Sequence, residues 1–393
     1  MLLAPEPFYE ERGTPIAVHL LLQALSNRGE EVDVLTYPVG ADQQYPGVTL
    51  HRIPRIPGIK RVPPGLSLRK LACDVFMVCR AWRMVRRKRY DLVHAMEESG
   101  FMAWAIQRFF RIPYVYDMDS SLSHQIVDKF RWLGVLKAGM ERCEGAVIRS
   151  AAAVVPVCQL LEQEARRQAA RKTFLLRDIS LLKPDEPTAA ERALFPPPEA
   201  GCRFFYVGNL SSYQGIGLML EAFRDMGADE TSRPAQLVIA GGTDTEIRRY
   251  RAQSAALGIA ARVHFLGPQP MARLGALLAL ADVVVSPRTQ GINTPMKIYS
   301  YMASGKPVLA TDLPTHTQVL TPEIAQLAAP DPRAFAEGMR RLAADADLRQ
   351  RLGAAARAVA ERDFSMEAFR RNVDHIYDWL ADELKPAAAE TAP

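Results

Sequence analysis

The residues best suited to binding a charged ligand lie in the segment 291–311. Its sequence predicts a loop, a short helix over 295–303 capped by Thr294, a stop at Gly305 and a buried strand. A helix N-terminus presents free backbone N–H groups and a positive dipole end, which favour phosphate. Lys297 would add a mobile positive charge beside it. The segment therefore predicts a phosphate site, although an ordinary connection between a helix and a strand carries the same capping signals.

The rest of the chain alternates short apolar strands with amphipathic helices, in two halves. Representative strands fall at 32–36 and 113–117 in the first half, and at 204–207 and 237–240 in the second. Residues 182–200 are rich in proline and acid, which is typical of a linker. The alternation predicts parallel sheets with helices on both faces. We therefore expect two Rossmann-like domains facing a central cleft.

The composition is that of an ordinary globular protein. A chain of 393 residues with 48% hydrophobic and 24% charged residues fits two or three domains. Its five cysteines have no metal or redox spacing, which indicates reduced thiols. We see no signal peptide and no apolar run near the 18 or so residues of a membrane span. We expect a cytoplasmic protein without a bound cofactor or metal.

Positive charge is concentrated between His51 and Arg89, where twelve Lys or Arg residues stand against one acid, although the whole chain carries only +5. Most of this segment is predicted as a helix that Ser67 caps, with an apolar stripe. An ordinary solvated face is one interpretation. The other is contact with anionic membrane headgroups, at about 1 kcal/mol per basic residue, with the loop 63–66 at the interface. Nucleic acid is not expected, because no recognition motif or aromatic platform accompanies the charge. The stripe consists of Leu68, Leu71, Val75, Cys79, Trp82 and Val85.

The pattern Pro-x-Lys-x-x-x-Tyr-Met-x-x-Gly-Lys-Pro-Val at 295–308 resembles the donor-site segment of retaining glycosyltransferase family 4, whose members have the GT-B architecture. Five further segments resemble the same family, in the order in which the family uses them. They are the loop 12–15, the segment 91–97 with its Asp-x-x-His, the strand end 113–120, the segment 206–210 with Gln214-Gly215, and the segment 264–267 ahead of Ser286-Pro-Arg288.

The resemblance implies an α/β fold of the GT-B type and a hexosyltransferase. Such an enzyme moves a sugar from a nucleotide sugar to an acceptor hydroxyl, with retention and without a metal. The implied parts are an N-terminal acceptor-side domain (1–185), a C-terminal donor domain (186–365), a helix that crosses back to the N-terminal domain (366–385) and a disordered tail (386–393). A glycan or lipid-linked acceptor would place the enzyme in polysaccharide or glycolipid biosynthesis, peripheral on the inner face of the membrane. A catalytically weak binding protein and a nucleotide-sugar epimerase of the same fold are the alternatives.

The resemblance also assigns roles to individual residues. Glu97 or Asp119 would take the proton of the acceptor hydroxyl. The residues expected to bind donor and acceptor are Gly13, Thr14, His94, Gly208, Asn209, Gln214, Gly215, Arg288, Gly291, Asn293, Thr294, Lys297 and Ser300.

This chain departs from the family where the donor diphosphate binds. Asn209 and Gln214 stand where the family has Arg and Lys, Ile292 and Ser300 where it has paired Glu residues, and Asp119 where it has a His. A diphosphate leaving group needs positive charge or oriented dipoles. Stabilisation of the leaving diphosphate would therefore depend on Arg288, Lys297 and the helix N-terminus.

Several of these residues also have an ordinary structural alternative. Asp117 and Asp119 form an Asp-x-Asp motif, which binds a metal ion in some proteins. Two carboxylates alone provide too few ligands for a metal ion, so the simpler interpretation is that Asp117 caps a loop. His94 follows a buried strand, so it is either a ligand contact or a satisfied core histidine. His316 either lines the site or holds a loop.

Overall fold

The computed structural model describes residues 1–10, 13–59, 62, 67–120, 137–183, 185–197, 199, 201–227 and 234–385. The chain divides into two units. Unit 1 comprises Met1–Arg177 and Phe369–Pro393, and unit 2 comprises Asp178–Ala368. The predicted boundary at 185/186 therefore falls inside unit 2, whereas the predicted loop 63–66 and tail 386–393 lie outside the described residues.

Unit 1 is built on one parallel sheet. Its strands are β1 (Leu2–Leu3), β2 (Val32–Thr36), β3 (Val48–Arg52), β4 (Val93–Met96), β5 (Tyr114–Met118) and β6 (Ala153–Pro156). Its helices are α1 (Gly13–Arg28), α2 (Leu68–Arg87), α3 (Ser99–Phe110), α4 (Lys137–Ser150) and α5 (Gln159–Arg167). The strand order is β3-β2-β1-β4-β5-β6. Strands β1, β2, β4 and β5 are buried along their whole length, as expected of a sheet with helices on both faces.

The sequence explains where the helices of unit 1 begin and end. Ser67 caps α2, because its side chain accepts a hydrogen bond from the Lys70 backbone N–H at 3.1 Å. Helix α1 ends at Arg28, and Gly29 follows with φ +83°, a conformation that suits glycine. The structure thus confirms the predicted cap at Ser67.

Helix α2 buries only part of its predicted apolar stripe. Its buried residues are Cys73, Met77, Ala81, Met84 and Val85. Leu68, Leu71 and Val75 of the predicted stripe are instead 85%, 60% and 58% exposed. The helix carries two competing apolar faces, and the face with small residues allows closer packing on the sheet. The other face remains in solvent.

Unit 2 repeats the architecture of unit 1. Its strands are β7 (Cys202–Val207), β8 (Ala235–Ala240), β9 (Val263–Gly267), β10 (Val283–Ser286), β11 (Val308–Thr311) and β12 (Ala325–Ala328). Its helices are α6 (Ala189–Arg192), α7 (Ile216–Met226), α8 (Asp244–Ala256), α9 (Leu274–Leu280), α10 (Met296–Ala303), α11 (Pro314–Thr317), α12 (Pro332–Ala344) and α13 (Ala346–Asp363). Single 3₁₀ turns occur at Ser212–Gln214, Ala260–Arg262 and Met271–Arg273. The parallel sheet has the order β12-β11-β10-β7-β8-β9.

The segment 182–200 is part of unit 2 rather than a linker. It contains α6, where Thr188 and Glu191 form a capping box. The Phe195 ring packs against Phe205 of β7, with centroids 5.3 Å apart. The acids and prolines that suggested a linker here shape a short capped helix against the sheet.

A last helix, α14 (Met366–Glu383), packs on unit 1. Its Val373 is buried, and Tyr377 Oη lies 2.9 Å from His94 Nδ1. The Tyr377 and His94 rings stack with their centroids 6.1 Å apart. Arg28 of α1 forms an ion pair with Asp378 at 2.5 Å. Unit 1 is therefore assembled from both ends of the chain.

Each sheet reverses its strand order at one place, between β1 and β4 in unit 1 and between β7 and β10 in unit 2. In open α/β sheets ligands bind beyond the carboxyl ends of the strands at this reversal. The loops after these four strands are therefore where site residues are expected.

Candidate active site

In unit 2, the first candidate residues follow β7. Gly208 has φ +146°, and a Cβ there would lie 3.3 Å from Lys297 Nζ, so glycine leaves room for that ammonium group. Asn209 is exposed, and its backbone oxygen accepts a hydrogen bond from Tyr206 Oη at 2.7 Å. The end of β7 therefore offers amide and hydroxyl groups and no cation.

Gln214 and Gly215 bring the next loop against the end of β10. Gly215 has φ +74°, and a Cβ there would lie 1.9 Å from the backbone oxygen of Pro287. Only glycine permits this approach. The neighbouring Gln214 is buried, and its Oε1 accepts a hydrogen bond from Lys297 Nζ at 3.2 Å. Gln214 thus positions a lysine.

Arg288 follows β10 and braces the loop ahead of α10. Its guanidinium donates hydrogen bonds to the backbone oxygens of Gln290 at 2.7 Å and Asn293 at 3.1 Å. Its central carbon lies 5.3 Å from the Tyr213 ring centroid. Gly291 has φ +122°, and a Cβ there would lie 2.3 Å from Arg288 Nη2. Burial lowers the pKa of Arg288, but an arginine stays charged at any ordinary pH.

The start of α10 differs from the prediction. The helix begins at Met296, and Pro295 occupies the cap position that was predicted for Thr294. Pro295 has extended backbone angles, so Thr294 lies one residue too early to cap the first turn. Thr294 is 7% exposed, and its Oγ1 has no hydrogen-bond partner among the described residues. A buried hydroxyl without a partner costs about 1–3 kcal/mol, which a bound acceptor oxygen would relieve.

Lys297 lies in the first turn of α10, half-buried among polar and aromatic groups. Its Nζ is 3.9 Å from the centroid of the Tyr206 ring. Burial, and then repulsion from Arg288, hold its pKa well below the usual range. An anion bound beside this nitrogen would favour its charged form.

Two further predicted donor residues, Asn293 and Ser300, lie close by in the sequence. Ser300 is buried in α10, and Ile292 of the preceding loop is exposed. Asn293 receives hydrogen bonds on its backbone oxygen from Arg288 and, at 2.7 Å, from Thr315 Oγ1. These two hydrogen bonds hold the backbone of the loop at Asn293.

His316 is a structural residue. Its Nε2 lies 2.9 Å from Ser286 Oγ on β10, and its Nδ1 lies 2.9 Å from the Thr311 backbone oxygen on β11. Burial lowers its pKa to about 3, so it is neutral at physiological pH. Of the two interpretations of His316, the structure supports the one in which it holds a loop.

In unit 1, Glu97 follows β4 with φ +46°, an uncommon value for a residue other than glycine. Its Oε1 accepts a hydrogen bond from Thr14 Oγ1 at 3.5 Å, next to Gly13 at the start of α1. Burial and the neighbouring Glu98 raise the pKa of Glu97 to about 7. A carboxyl group with this pKa is suited to proton transfer near neutral pH.

Two charged residues of α2 that lie near Glu97 were not predicted from the sequence. Lys70 Nζ lies 2.6 Å from Glu98 Oε1 and 3.8 Å from Glu97 Oε2. Asp74, one turn later, accepts a hydrogen bond from Tyr37 Oη at 2.5 Å, and burial raises its pKa to about 7. The spacing of four residues between Lys70 and Asp74 could have indicated that they act together, because residues four apart lie on the same face of a helix.

His94 is a satisfied core histidine. It is 3% exposed, and its Nε2 lies 3.1 Å from Asp117 Oδ2, while its other ring nitrogen contacts Tyr377. Asp117 therefore pairs with His94 on the neighbouring strand and does not cap a loop. Asp119 lies half-buried just beyond β5, at the carboxyl end of the sheet.

Within the described parts of the chain, no group of three or more His, Cys, Asp or Glu side chains is placed to hold a metal ion. The helices described there include none that is long and apolar enough to cross a membrane.

Comparisons with known families match both units. Residues 12–175 match the glycosyl transferase 4-like domain, and residues 190–359 match the glycosyl transferases group 1 family. The two matches together leave only short segments of the chain uncovered.

Similar proteins cover almost the whole chain. A phosphatidyl-myo-inositol mannosyltransferase of Mycobacterium leprae is 25% identical over 97% of this chain and 96% of its own length. A D-inositol 3-phosphate glycosyltransferase of Corynebacterium diphtheriae is 24% identical over 93% of this chain and 89% of its own. Among solved structures, the sucrose-phosphate synthase of Thermosynechococcus elongatus superposes with a TM-score of 0.79 at 23% identity, covering 97% and 98% of the two chains. Anabaena HepE, in complex with UDP, gives 0.72 at 16% identity, covering 97% and 99%.

The two parallel sheets and these structural neighbours define a GT-B fold with two Rossmann-like units. The family matches to both units identify the chain as a glycosyltransferase of the family 4 type, an enzyme. The predicted fold and the predicted class of enzyme are thus confirmed.

Proposed function

We propose that the protein transfers a sugar, with retention and without a metal, from a nucleotide sugar bound in unit 2 to a hydroxyl of an acceptor bound in unit 1. The N-terminus of α10 carries the proposal. There the buried Thr294 hydroxyl lacks a partner among the described residues, Arg288 brings a guanidinium group to the preceding loop, and Lys297 supplies an amino group whose charged form a bound anion would favour. A diphosphate has the oxygens and the negative charge that all three groups would accept.

The proposed donor site replaces the missing family cations with other sources of charge. Gln214 and Asn209 can supply hydrogen bonds but no charge. The side-chain oxygen of Gln214 already accepts a hydrogen bond from Lys297. The helix dipole adds up to about 2 kcal/mol for an anion in a partly buried site. Lys297, Arg288 and α10 would together stabilise the leaving diphosphate as the glycosidic bond breaks. The Anabaena HepE structures with UDP and with UDP-glucose support a nucleotide sugar as donor. Retention rests on the resemblance to the family.

Glu97 is proposed to take the proton of the acceptor hydroxyl. It stands at the strand reversal of unit 1, and its pKa of about 7 lets it hold or release a proton at neutral pH. Asp119, at the end of β5, is the second candidate. The name of the mycobacterial relative, a phosphatidyl-myo-inositol mannosyltransferase, supports a lipid-linked acceptor.

We further propose that α2 holds the enzyme at an anionic membrane surface. Leu68, Leu71 and Val75 are exposed on one side of this helix, and Arg83, Arg86 and Arg87 are exposed beside them. A helix with an exposed apolar stripe and a basic flank fits the membrane interface. Lys70 and Lys88 do not belong to this surface, because they pair with Glu98 and Asp33.

Calorimetry tests the donor site. Nucleoside diphosphates and the matching nucleosides are titrated into wild type, Lys297→Ala and Lys306→Ala. Lys306 is a matched control, since it is also half-buried in unit 2 but donates to the Ala279 backbone oxygen. We expect Lys297→Ala to weaken diphosphate binding at least ten-fold and to leave nucleoside binding and the control unchanged. Equal weakening of diphosphate and nucleoside would refute the placement.

Turnover tests the reaction. The departures at Asn209, Gln214, Ile292 and Ser300 favour a weak or inactive binding protein as the second candidate. Slow release of sugar from the donor, unaffected by a chelator, supports a metal-independent transferase. Diphosphate binding without any donor turnover supports the second candidate. A change in the donor sugar without acceptor would identify an epimerase.

A further inference from the structure

A groove of about 280 Å³ runs between α2 and α3 in unit 1. Seven of its nine lining residues are apolar, and they include Val78, Ala81, Trp82, Phe101, Ala105 and Ile106. The other two are the acids Asp74 and Glu98. The walls of the groove are therefore apolar, except where the two acidic side chains lie.

The carboxylic part of the groove adjoins the proposed acceptor site. Lys70 contacts both Glu98, which lines the groove, and Glu97, which lies at the strand reversal. Glu97 in turn contacts Thr14 at 3.5 Å. A molecule whose chain fills the groove would thus present its polar end to Glu97.

The apolar walls of the groove continue onto the protein surface. Val78 is 39% exposed and lies one turn after Val75, on the stripe of α2 that faces solvent. The exposed Phe109 packs edge-on against Trp82, with ring centroids 5.3 Å apart. An exposed apolar patch of this kind usually marks a binding surface. The surface proposed to meet the membrane therefore opens into the groove.

The acids indicate which kind of polar end the groove accepts. A carboxylate accepts hydrogen bonds from hydroxyl groups and repels phosphate or sulfate. The nearby cation, Lys70, is already paired with Glu98 at 2.6 Å. An uncharged head rich in hydroxyl groups fits this end, whereas an anionic head does not.

We propose that the α2–α3 groove binds the hydrocarbon chain of a lipid acceptor whose head is uncharged and carries hydroxyl groups, so that the head lies at Glu97. This inference rests on the proposed transferase function and adds the substrate class. The occupant is the acceptor itself, and a bulk membrane lipid would need no hydroxyl group beside the acids.

Soluble probes test the groove without a membrane. Octyl β-D-glucoside below its critical micelle concentration carries a chain and an uncharged head, methyl β-D-glucoside carries the head alone, and octyl sulfate carries the chain with an anionic head. We expect the full-length protein to bind octyl glucoside at least ten-fold more tightly than methyl glucoside. Octyl sulfate should not displace octyl glucoside. Equal affinity for the two glucosides, or efficient displacement by octyl sulfate, would overturn the proposal.

Two variants of α2 distinguish binding in the groove from nonspecific adsorption to the protein surface. Val78→Asp and Val75→Asp place the same charge one turn apart on exposed positions, but only Val78 lines the groove. We expect Val78→Asp to reduce octyl glucoside affinity at least ten-fold and Val75→Asp to leave it within two-fold. Ala105→Phe, which fills the groove from α3, should act like Val78→Asp. Equal effects of the two aspartates would show adsorption to the outer surface and would refute the groove.

Further measurements on the same samples distinguish failure of the groove proposal from failure of the transferase proposal. Nucleoside diphosphate binding and donor turnover are measured in wild type and in each variant. If wild type binds no octyl glucoside but retains both donor activities, the groove is refuted and the transferase proposal stands. If the groove binds octyl glucoside as expected but no nucleoside diphosphate binds, the donor proposal fails and the lipid site remains as a binding function.

Discussion

Lys297 Nζ donates a hydrogen bond to Gln214 Oε1 across 3.2 Å. The amide that stands where the family has a lysine is thus held by a lysine in the first turn of α10. In the proposed donor site, a basic side chain therefore lies in the first turn of α10 and none lies in the loop after β7. The proposal of a diphosphate at this place rests on that position of Lys297, because Arg and Lys are absent from the positions where the family has them.

The Lys297–Gln214 contact makes Gln214→Glu an informative change. A carboxylate at this position would neutralise Lys297 and raise its pKa, because an opposite charge favours the protonated form. We expect the free protein to become more stable and its affinity for nucleoside diphosphates to fall at least ten-fold. Nucleoside binding should not change. Calorimetry and thermal melts measure both effects, and an unchanged diphosphate affinity would contradict the assignment of Lys297.

We expect substitution of Gly215 to be more damaging than substitution of Gly258, because only Gly215 lies against a neighbouring backbone segment. Both have similar positive φ, +74° and +71°, but a Cβ at Gly215 would lie 1.9 Å from Pro287 O, whereas at Gly258 nothing lies within 4 Å. Gly258→Ala should therefore cost only the backbone strain, about 1 kcal/mol. Gly215→Ala should cost clearly more and weaken nucleotide binding. Denaturant unfolding compares the two, and equal losses would mean that the close approach is unimportant.

Glu97→Gln tests the proton acceptor. If Glu97 must be ionised to act, kcat should rise with pH through about 7, where its raised pKa lies. The glutamine variant should lose about 100-fold or more in kcat and lose that pH dependence, while donor KM stays unchanged. Asp119→Asn serves as the parallel variant. If Asp119→Asn removes the pH dependence and Glu97→Gln does not, the two roles are exchanged.

Asp74 should make unit 1 less stable as the pH rises. Its pKa in the folded protein, about 7, lies above its ordinary value, because burial disfavours the charged form. Its stability contribution is therefore fully present below about pH 4 and is lost as the pH rises through 7. Asp74→Asn keeps an oxygen for the Tyr37 hydroxyl and removes the charge. We expect the variant to be about 1–2 kcal/mol more stable than wild type at pH 8 and equal to it near pH 4. Melts that show no pH-dependent difference would contradict this.

Replacing Arg83, Arg86, Arg87 and Arg89 by Ser should reduce sedimentation with anionic vesicles at least ten-fold in 0.15 M salt, where the Debye length is about 8 Å. Neutral vesicles should bind neither protein. The control makes the same charge change on unit 2, with Ser at four exposed arginines, and it should sediment like wild type. Those arginines are Arg248, Arg249, Arg251 and Arg333. If the control loses binding equally, net charge alone explains the effect and α2 has no special role.

The sequence was sufficient for elements in which an apolar run ends at a clear breaker. Strand β2 occupies the residues predicted for it, 32–36. It was insufficient for β3, an edge strand whose residues are mostly half-buried, because weak burial leaves a weak apolar pattern. It also failed for the rotation of α2, where two faces were nearly equally apolar.

The segments that contain Gly215, Gly291 and Lys297 were easier to predict than the surroundings of Glu97, for a physical reason. Gly215, Gly291 and Lys297 belong to short motifs in which backbone geometry demands particular residues. Lys70 and Glu98 meet only because α2 and the end of β4 are brought together in space. No local pattern encodes such a long-range contact, so the charged surroundings of Glu97 required the structure.

Unit 1 takes its sheet from the beginning of the chain and its last helix from the end. On the ribosome, about 190 residues of unit 2 must be made between these two parts. At 5–20 residues per second this takes roughly 10–40 s. During that time the contact between His94 and Asp117 has no Tyr377 to cover it, so this polar pair of the nascent sheet is open to water. Completion of unit 1 is thereby tied to synthesis of unit 2, and a chain that stops before Phe369 leaves unit 1 without its last helix.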